Sequence, residues 1–192
     1  MNKHIIIAGA PRSGKSTICK QISHTFGYQH ISMDSIVAGI EKVFPETGIN
    51  SDADVDALVN VRKISRKLAP FIQAMIESGE YDECDYGMLI DVYQLLPEDF
   101  VRYIDPVKCS IFYFITSDLS IEERIEILKE YDTPADYTFY DSEETKHRRC
   151  AEIVRVSAKM KDQCEKYGLL YFETAYDRDQ VILDFIQNQF GG

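Results

Sequence analysis

Gly9-Ala10-Pro11-Arg12-Ser13-Gly14-Lys15-Ser16 is the stretch that decides the fold, and Thr17 follows it directly. It satisfies G-x-x-x-x-G-K-[ST], and each part of that pattern has a chemical reason. The glycines let the backbone curl until successive N–H groups point inward at an anion. A helix beginning at Lys15 adds its unpaired N-terminal N–H groups and the positive end of its dipole. Lys15 places an ammonium between the β- and γ-phosphates of a nucleotide, and the Ser16 hydroxyl is a ligand for magnesium. At average residue frequencies the pattern arises by chance in roughly one chain in a hundred of this length. A buried strand before it and a helix after it narrow the odds further. The residues from Gly9 to Thr17 are therefore expected to bind ATP with Mg2+, Lys15 taking part in the chemistry as well.

Working outward, Ile5-Ile6-Ile7-Ala8 is a continuous apolar run, as expected of a parallel strand covered on both faces. The loop leads into a helix to Phe26, stopped by Gly27. A second strand is predicted over Gln29 to Ser32, then a helix from Met33-Asp34 that ends before Pro45. Ser51 and Asp52 are expected to cap a long helix, with Val55, Leu58, Ile64, Leu68, Phe71, Ile72, Met75 and Ile76 at helical spacing and Pro70 kinking or dividing it. The third strand reads Gly87 to Ile90 and closes on Asp91, and the fourth reads Cys109 to Ile115. A helix carrying Ile121, Ile125 and Leu128 follows. After an irregular stretch from Tyr131 to Tyr140, a long helix starts at Asp141 with Glu144 in a capping-box-like position and runs to Gly168. A fifth strand, Leu169 to Phe172, and a helix after Asp177 complete the chain. Alternation of this kind predicts an α/β three-layer sandwich on a five-stranded parallel sheet, the P-loop NTPase fold, as a single domain over 1–192. Gly9, Asp34, Asp91, Thr116 and Thr174 all fall at or just past strand ends, where ligands of such folds gather.

Bulk properties exclude several other classes. The 192 residues carry a formal charge of −11, and an acidic surface repels the phosphate backbone on which non-specific nucleic-acid binding depends. No nucleic-acid partner is expected. The cysteines Cys19, Cys84, Cys109, Cys150 and Cys164 are odd in number and lack zinc spacing, which reads as reduced thiols. The apolar run after Lys3 is too short for a signal peptide, and no stretch is long enough for a membrane span. A cytoplasmic location is the default expectation. Acidic residues Asp82, Glu83 and Asp85 read as a solvated turn.

On the phosphate loop at the N-terminus, the compact size, Asp34 after strand two, Asp91 after strand three and a polar segment after strand four, the chain resembles the nucleotide kinase and shikimate kinase-like branch of P-loop phosphotransferases. The resemblance implies a transferase moving the γ-phosphoryl of ATP to a small-molecule acceptor. It implies that Asp34 orients the acceptor hydroxyl or helps hold magnesium water. Asp91 has the layout of a Walker B residue and is expected to reach magnesium through water and Ser16. A helical insert at about 34–80 would bind the acceptor, and the segment at about 131–149 would act as a lid. Arg148 and Arg149 are the leading candidates for positive charge near the migrating phosphoryl group, with Arg124 a third. Tyr176 falls where related kinases wrap adenine. Shikimate and gluconate kinases carry D-x-D ahead of the acceptor helix, whereas Ser32 stands here in place of the first Asp, a departure that weighs against both activities. Arg62, Lys63, Arg66 and Lys67 lie in the region that grips the acceptor's phosphate in nucleoside monophosphate kinases, yet at their helical spacing they read as a solvated face.

Two other classes remain open on sequence alone: a nucleotide-binding regulator with no acceptor, and an ATPase acting on a protein partner. Asp34 and the lid-like segment favour the kinase. The guanine reader N-K-x-D is missing, so ATP is expected over GTP.

Overall fold

Strand β1 (His4–Gly9) is buried along its whole length, which requires cover on both faces and a strand on either side. The computed structural model describes residues 3–51, 55–79, 87–134, 136 and 138–191 and supplies all of these. Four further strands, β2 (Gln29–Ser32), β3 (Met88–Val92), β4 (Cys109–Ile115) and β5 (Tyr171–Glu173), join it in an all-parallel sheet of order β2-β3-β1-β4-β5. The period-two alternation of β1 sorts the layers. Ile5 and Ile7 pack on α1 (Lys15–Phe26) and α7 (Arg178–Phe190) through Ile18, Ile22, Ile182 and Phe185. Ile6 and Ala8 face the opposite layer, where Met33 and Val37 of α2 (Met33–Val43), Ile64 and Leu68 of α3 (Ala57–Glu77) and Phe100 of α4 (Pro97–Tyr103) form the larger core. The long helix α6 (Glu143–Tyr167) closes that layer with Val156 and Met160, and α5 (Ile121–Tyr131) packs beside it. Among the described residues, no helix is long and apolar enough to cross a membrane.

Several boundaries differ from the sequence reading for local reasons. Helix α3 starts later than Ser51 because the Asp56 carboxylate accepts from the N–H groups of Leu58 (3.0 Å) and Val59 (3.2 Å), satisfying orphan donors of the first turn. Ser51 instead helps anchor the preceding loop, its carbonyl and that of Asn50 accepting from Asn60 Nδ2. Asp52, the other expected cap, lies outside the described residues, as do Asp82, Glu83, Cys84 and Asp85. Pro70 does not divide α3, since it sits on the exposed face while Leu68, Ala69 and Ile72 are buried on either side of it. Asp91 falls inside β3 rather than after it. The cap of α6 is Ser142 rather than Asp141, its hydroxyl accepting from Thr145 N. Strand β5 starts two residues later and ends one residue later than the expected stretch. The short α4 escaped the reading, although Pro97 at its first position, followed by Glu98 and Asp99, is a helix-start signal. The four described cysteines, Cys19, Cys109, Cys150 and Cys164, are buried free thiols.

Candidate active site

The loop from β1 to α1 crosses the carboxyl edge of the sheet at its centre. The connection leaving β1 runs to the β2 edge and the one leaving β4 to the β5 edge, which opens a crevice between them. Gly9 has φ of 136°, and a Cβ there would overlap the backbone of Phe114 on β4. Ala10 N donates to Phe114 O at 2.9 Å, so the loop begins pinned to the neighbouring strand. Gly14 caps α1 in the left-handed region, and a Cβ there would press on Ile182 of α7. Ser13 is buried, its hydroxyl donating to Ala10 O at 2.9 Å. The Thr174 hydroxyl, just past β5, reaches the Ser13 carbonyl at 3.1 Å. Backbone packing thus holds the curl from both sides.

Two cavities flank this loop. The first, about 710 Å³, is lined by Lys15, Ser16, Asp34, Asp91, Arg148 and Arg149 among others. Lys15 Nζ donates to Ala10 O at 2.7 Å; burial lowers its pKa, while the Asp91 and Asp34 carboxylates work in the opposite direction. The Ser16 hydroxyl donates to Asp91 Oδ2 at 2.8 Å. Asp34, in the first turn of α2, is exposed at the cavity, and partial desolvation by the surrounding walls raises its carboxyl pKa. The nearby ammonium of Lys15 opposes that rise, and the Asp91 charge adds to it. Ser32 pairs in register with Asp91, so an aspartate at 32 would have set two carboxylates side by side.

The other walls of this cavity come from residues that belong to no motif. Ala57, Asn60, Val61 and Ile64 of α3, Tyr93 and Gln94 after β3, and Glu152 and Ile153 of α6 all face it. The family resemblance puts α3 within the expected acceptor insert at about 34–80, but no motif in the sequence singles out which of its residues face the cavity. The basic cluster of α3 points elsewhere. Arg62 pairs with Glu98 at 3.3 Å, Lys67 donates to the Thr47 carbonyl, and none of the four basic residues lines the cavity, in line with a solvated face. Arg149 pairs with Asp141 at 2.9 Å, and Arg148 is exposed at the rim.

The second cavity, about 600 Å³, lies beyond β4 and β5 and is lined by Thr116, Leu119, Arg124, Thr174, Tyr176 and Arg178 among others. Arg124 is 2% exposed and donates to the Thr116 hydroxyl, which places it here rather than beside the acidic pair of the first cavity. Tyr176 is 55% exposed, its hydroxyl donating to Glu123 Oε1 at 3.1 Å. Thr17 is exposed on α1 and lines neither cavity.

Hard oxygen donors at Ser16 and Asp91 suit Mg2+. Cys19 and His30 also crowd Asp91, the three ligand atoms lying within 4.8 Å of one another. Cys19 is fully buried, and burial pushes its thiol pKa well up, so it stays protonated and is a poor partner for a soft metal.

A parallel sheet of this order, with a glycine-bounded phosphate loop between its central strand and first helix, is the P-loop kinase fold. Among solved structures the chain is similar to the shikimate kinase from Bacteroides thetaiotaomicron, with a TM-score of 0.54 at 11% identity, covering 96% of this chain and 97% of that one. It is equally similar to the shikimate kinase from Acinetobacter baumannii in complex with shikimate, with a TM-score of 0.54 at 11% identity over 99% of this chain and 96% of that one. At such identity the likeness is one of fold. No protein-family model matches the sequence, and no curated protein matches it.

Proposed function

We propose that this chain is an ATP-dependent small-molecule kinase, a single domain whose larger cavity takes the phosphoryl acceptor. The observation that carries the reading is the meeting of Lys15, Ser16, Asp34 and Asp91 in one cavity beside the phosphate loop. A bare nucleotide switch has no need of a second carboxylate there, or of a cavity large enough for another small molecule.

The loop from Gly9 to Ser16 cradles the phosphates of ATP, and Lys15 leaves its present partner, the Ala10 carbonyl, to bridge the β- and γ-phosphates. Ser16 and Asp91 hold magnesium, which when bound neutralises charge developing on the phosphates. Asp34 aligns the acceptor hydroxyl. That oxygen attacks the γ-phosphorus, the bond to the β–γ bridging oxygen breaks with its electron pair leaving on ADP, and the hydroxyl proton passes to Asp34. The raised pKa of Asp34 favours it as proton acceptor, because the carboxylate with the higher pKa is the stronger base. Arg148 and Arg149 add positive charge at the rim, the region of 34–80 forms the acceptor wall, and the segment of 131–149 covers the site. The adenine lies in the second cavity near Tyr176. The serine at 32 speaks against shikimate itself, since the site keeps one carboxylate where the D-x-D kinases have two.

The test is an ATP-consumption screen across nucleosides, nucleotides, sugars and hydroxy acids. Acceptor-dependent ADP release is expected from one of these classes. ATP-driven conformational change without turnover on any of them would favour the regulator.

A further inference from the structure

Arg12 is the one described residue that lines both cavities. It therefore stands between the cavity assigned to the acceptor and the one assigned to the base, on the loop that would hold the phosphates. Its backbone has φ of 63°, a left-handed conformation that a long side chain adopts at a cost and keeps only when its surroundings demand it. The curl of the loop sets that conformation, and the side chain it carries is anchored by the segment between α5 and α6. One terminal nitrogen of the guanidinium donates to Asp136 Oδ1 at 3.0 Å, and the other donates to Asp132 Oδ1 at 2.6 Å and to the Thr138 hydroxyl at 2.9 Å. Two of these anchors are well seated, Asp132 with a side chain only 5% exposed and Thr138 fully buried, while Asp136 is partly exposed. Thr138 also donates to Asp132, so the holder is itself held.

Other arginines of the site are placed differently. Arg149 is paired with Asp141, Arg148 lies at the rim, and Arg124 is locked on Thr116 beside the second cavity. A guanidinium aimed by two carboxylates and carried on the phosphate loop is pre-organised. It has no reorganisation to undergo when charge spreads over the equatorial oxygens of the transferring group.

Resting on the kinase reading above, we propose that Arg12 is a catalytic residue that stabilises the transferring phosphoryl group through its side chain, with Asp132 and Asp136 as its positioning residues. The phosphate loop then supplies the donor-side backbone cradle and the transition-state charge from a single strand-to-helix turn.

The experiment compares calorimetric affinities of the full chain for MgADP with and without aluminium fluoride, which mimics the transferring phosphoryl group and needs no acceptor. The native protein should bind MgADP at least ~10²-fold more tightly with aluminium fluoride, as transition-state mimics do. Arg12→Gly suits the positive φ, and its melting by circular dichroism confirms folding. Position 12 would serve MgADP through its backbone N–H, which glycine keeps, so the variant should hold MgADP affinity within a few-fold and lose most of the fluoride-dependent tightening. The double variant Asp132→Asn/Asp136→Asn should also retain MgADP binding and lose tightening, a difference that a merely structural anchor would not move. Full tightening in Arg12→Gly, or collapse of its plain MgADP affinity, overturns the catalytic assignment while leaving the kinase reading in place. Full tightening in the double Asn variant overturns the positioning role. A native protein whose MgADP binding ignores aluminium fluoride removes both this proposal and the phosphotransfer reading beneath it.

Discussion

The phosphate loop and the larger cavity beside it are held in different ways. Residues 9–16 take their curl from backbone constraints: a glycine that only fits because it has no Cβ against Phe114, a left-handed Gly14, and hydrogen bonds from Ala10 and to Ser13. The cavity is instead a collection of side chains from α2, α3, the turn after β3 and α6, brought together by how those elements pack. The loop should therefore tolerate almost no backbone change and the cavity should tolerate retuning. Damage to the first should reach the fold, and damage to the second should reach only the reaction.

The largest expected effect tests the first half of that contrast. Gly9→Ala puts a methyl group into the Phe114 backbone, which cannot move without breaking the β1–β4 ladder. A loss of more than about 4 kcal/mol is expected, in the range reserved for such backbone conflicts. Urea unfolding measures it, and a near-native midpoint would mean that the loop is held by something other than its backbone.

Next in size is Asp34→Asn, which keeps shape and removes the charge. Transfer to the acceptor found by the screen should fall by about 10²–10⁴-fold, with Mg-ATP affinity within a few-fold and stability near native. Intact transfer with damaged ATP binding would reassign Asp34 to magnesium or structure and blur the line between the two regions.

Lys15→Ala should weaken Mg-ATP binding by roughly 10²-fold, since charge-assisted hydrogen bonds contribute about 1.5–3 kcal/mol each. The loop's shape does not depend on that ammonium, whose present bond is to the Ala10 carbonyl. Calorimetry on the folded variant decides, and unchanged affinity would sink the phosphate-loop reading.

The smallest effect is on pH dependence. The folded protein raises Asp34 above its ordinary 3.8, so the native state binds this proton more tightly than the unfolded chain does. No penalty exists below the unfolded value, and stability is lost as pH rises through the folded one. Lys15 and Asp91 are the charged groups that act on Asp34, and Asp99 is raised in the same direction by its own burial. The contribution of Asp34 is therefore read as the difference between native and Asp34→Asn midpoints, which should widen in favour of Asn across that window. A constant difference would show that Asp34 is better hydrated than its surroundings suggest.

By itself the sequence determined what depends on near neighbours. The strand–loop–helix from His4 to Phe26, the range of β4, and the positions of Asp34 and Asp91 near strand ends all follow from periodicity and spacing, because backbone constraints act over a few residues. Strand order needed the tertiary structure, since nothing local states that β1 lies between β3 and β4. So did the lining of the larger cavity, because Asn60, Gln94 and Glu152 carry no motif and meet only when α3, the turn after β3 and α6 pack on the sheet. Arg12 shows the division most plainly. Its place in the loop was legible as one variable position of a motif, whereas its direction is set by Asp132 and Asp136, more than a hundred residues away, through ion pairs that exist only once the chain has folded.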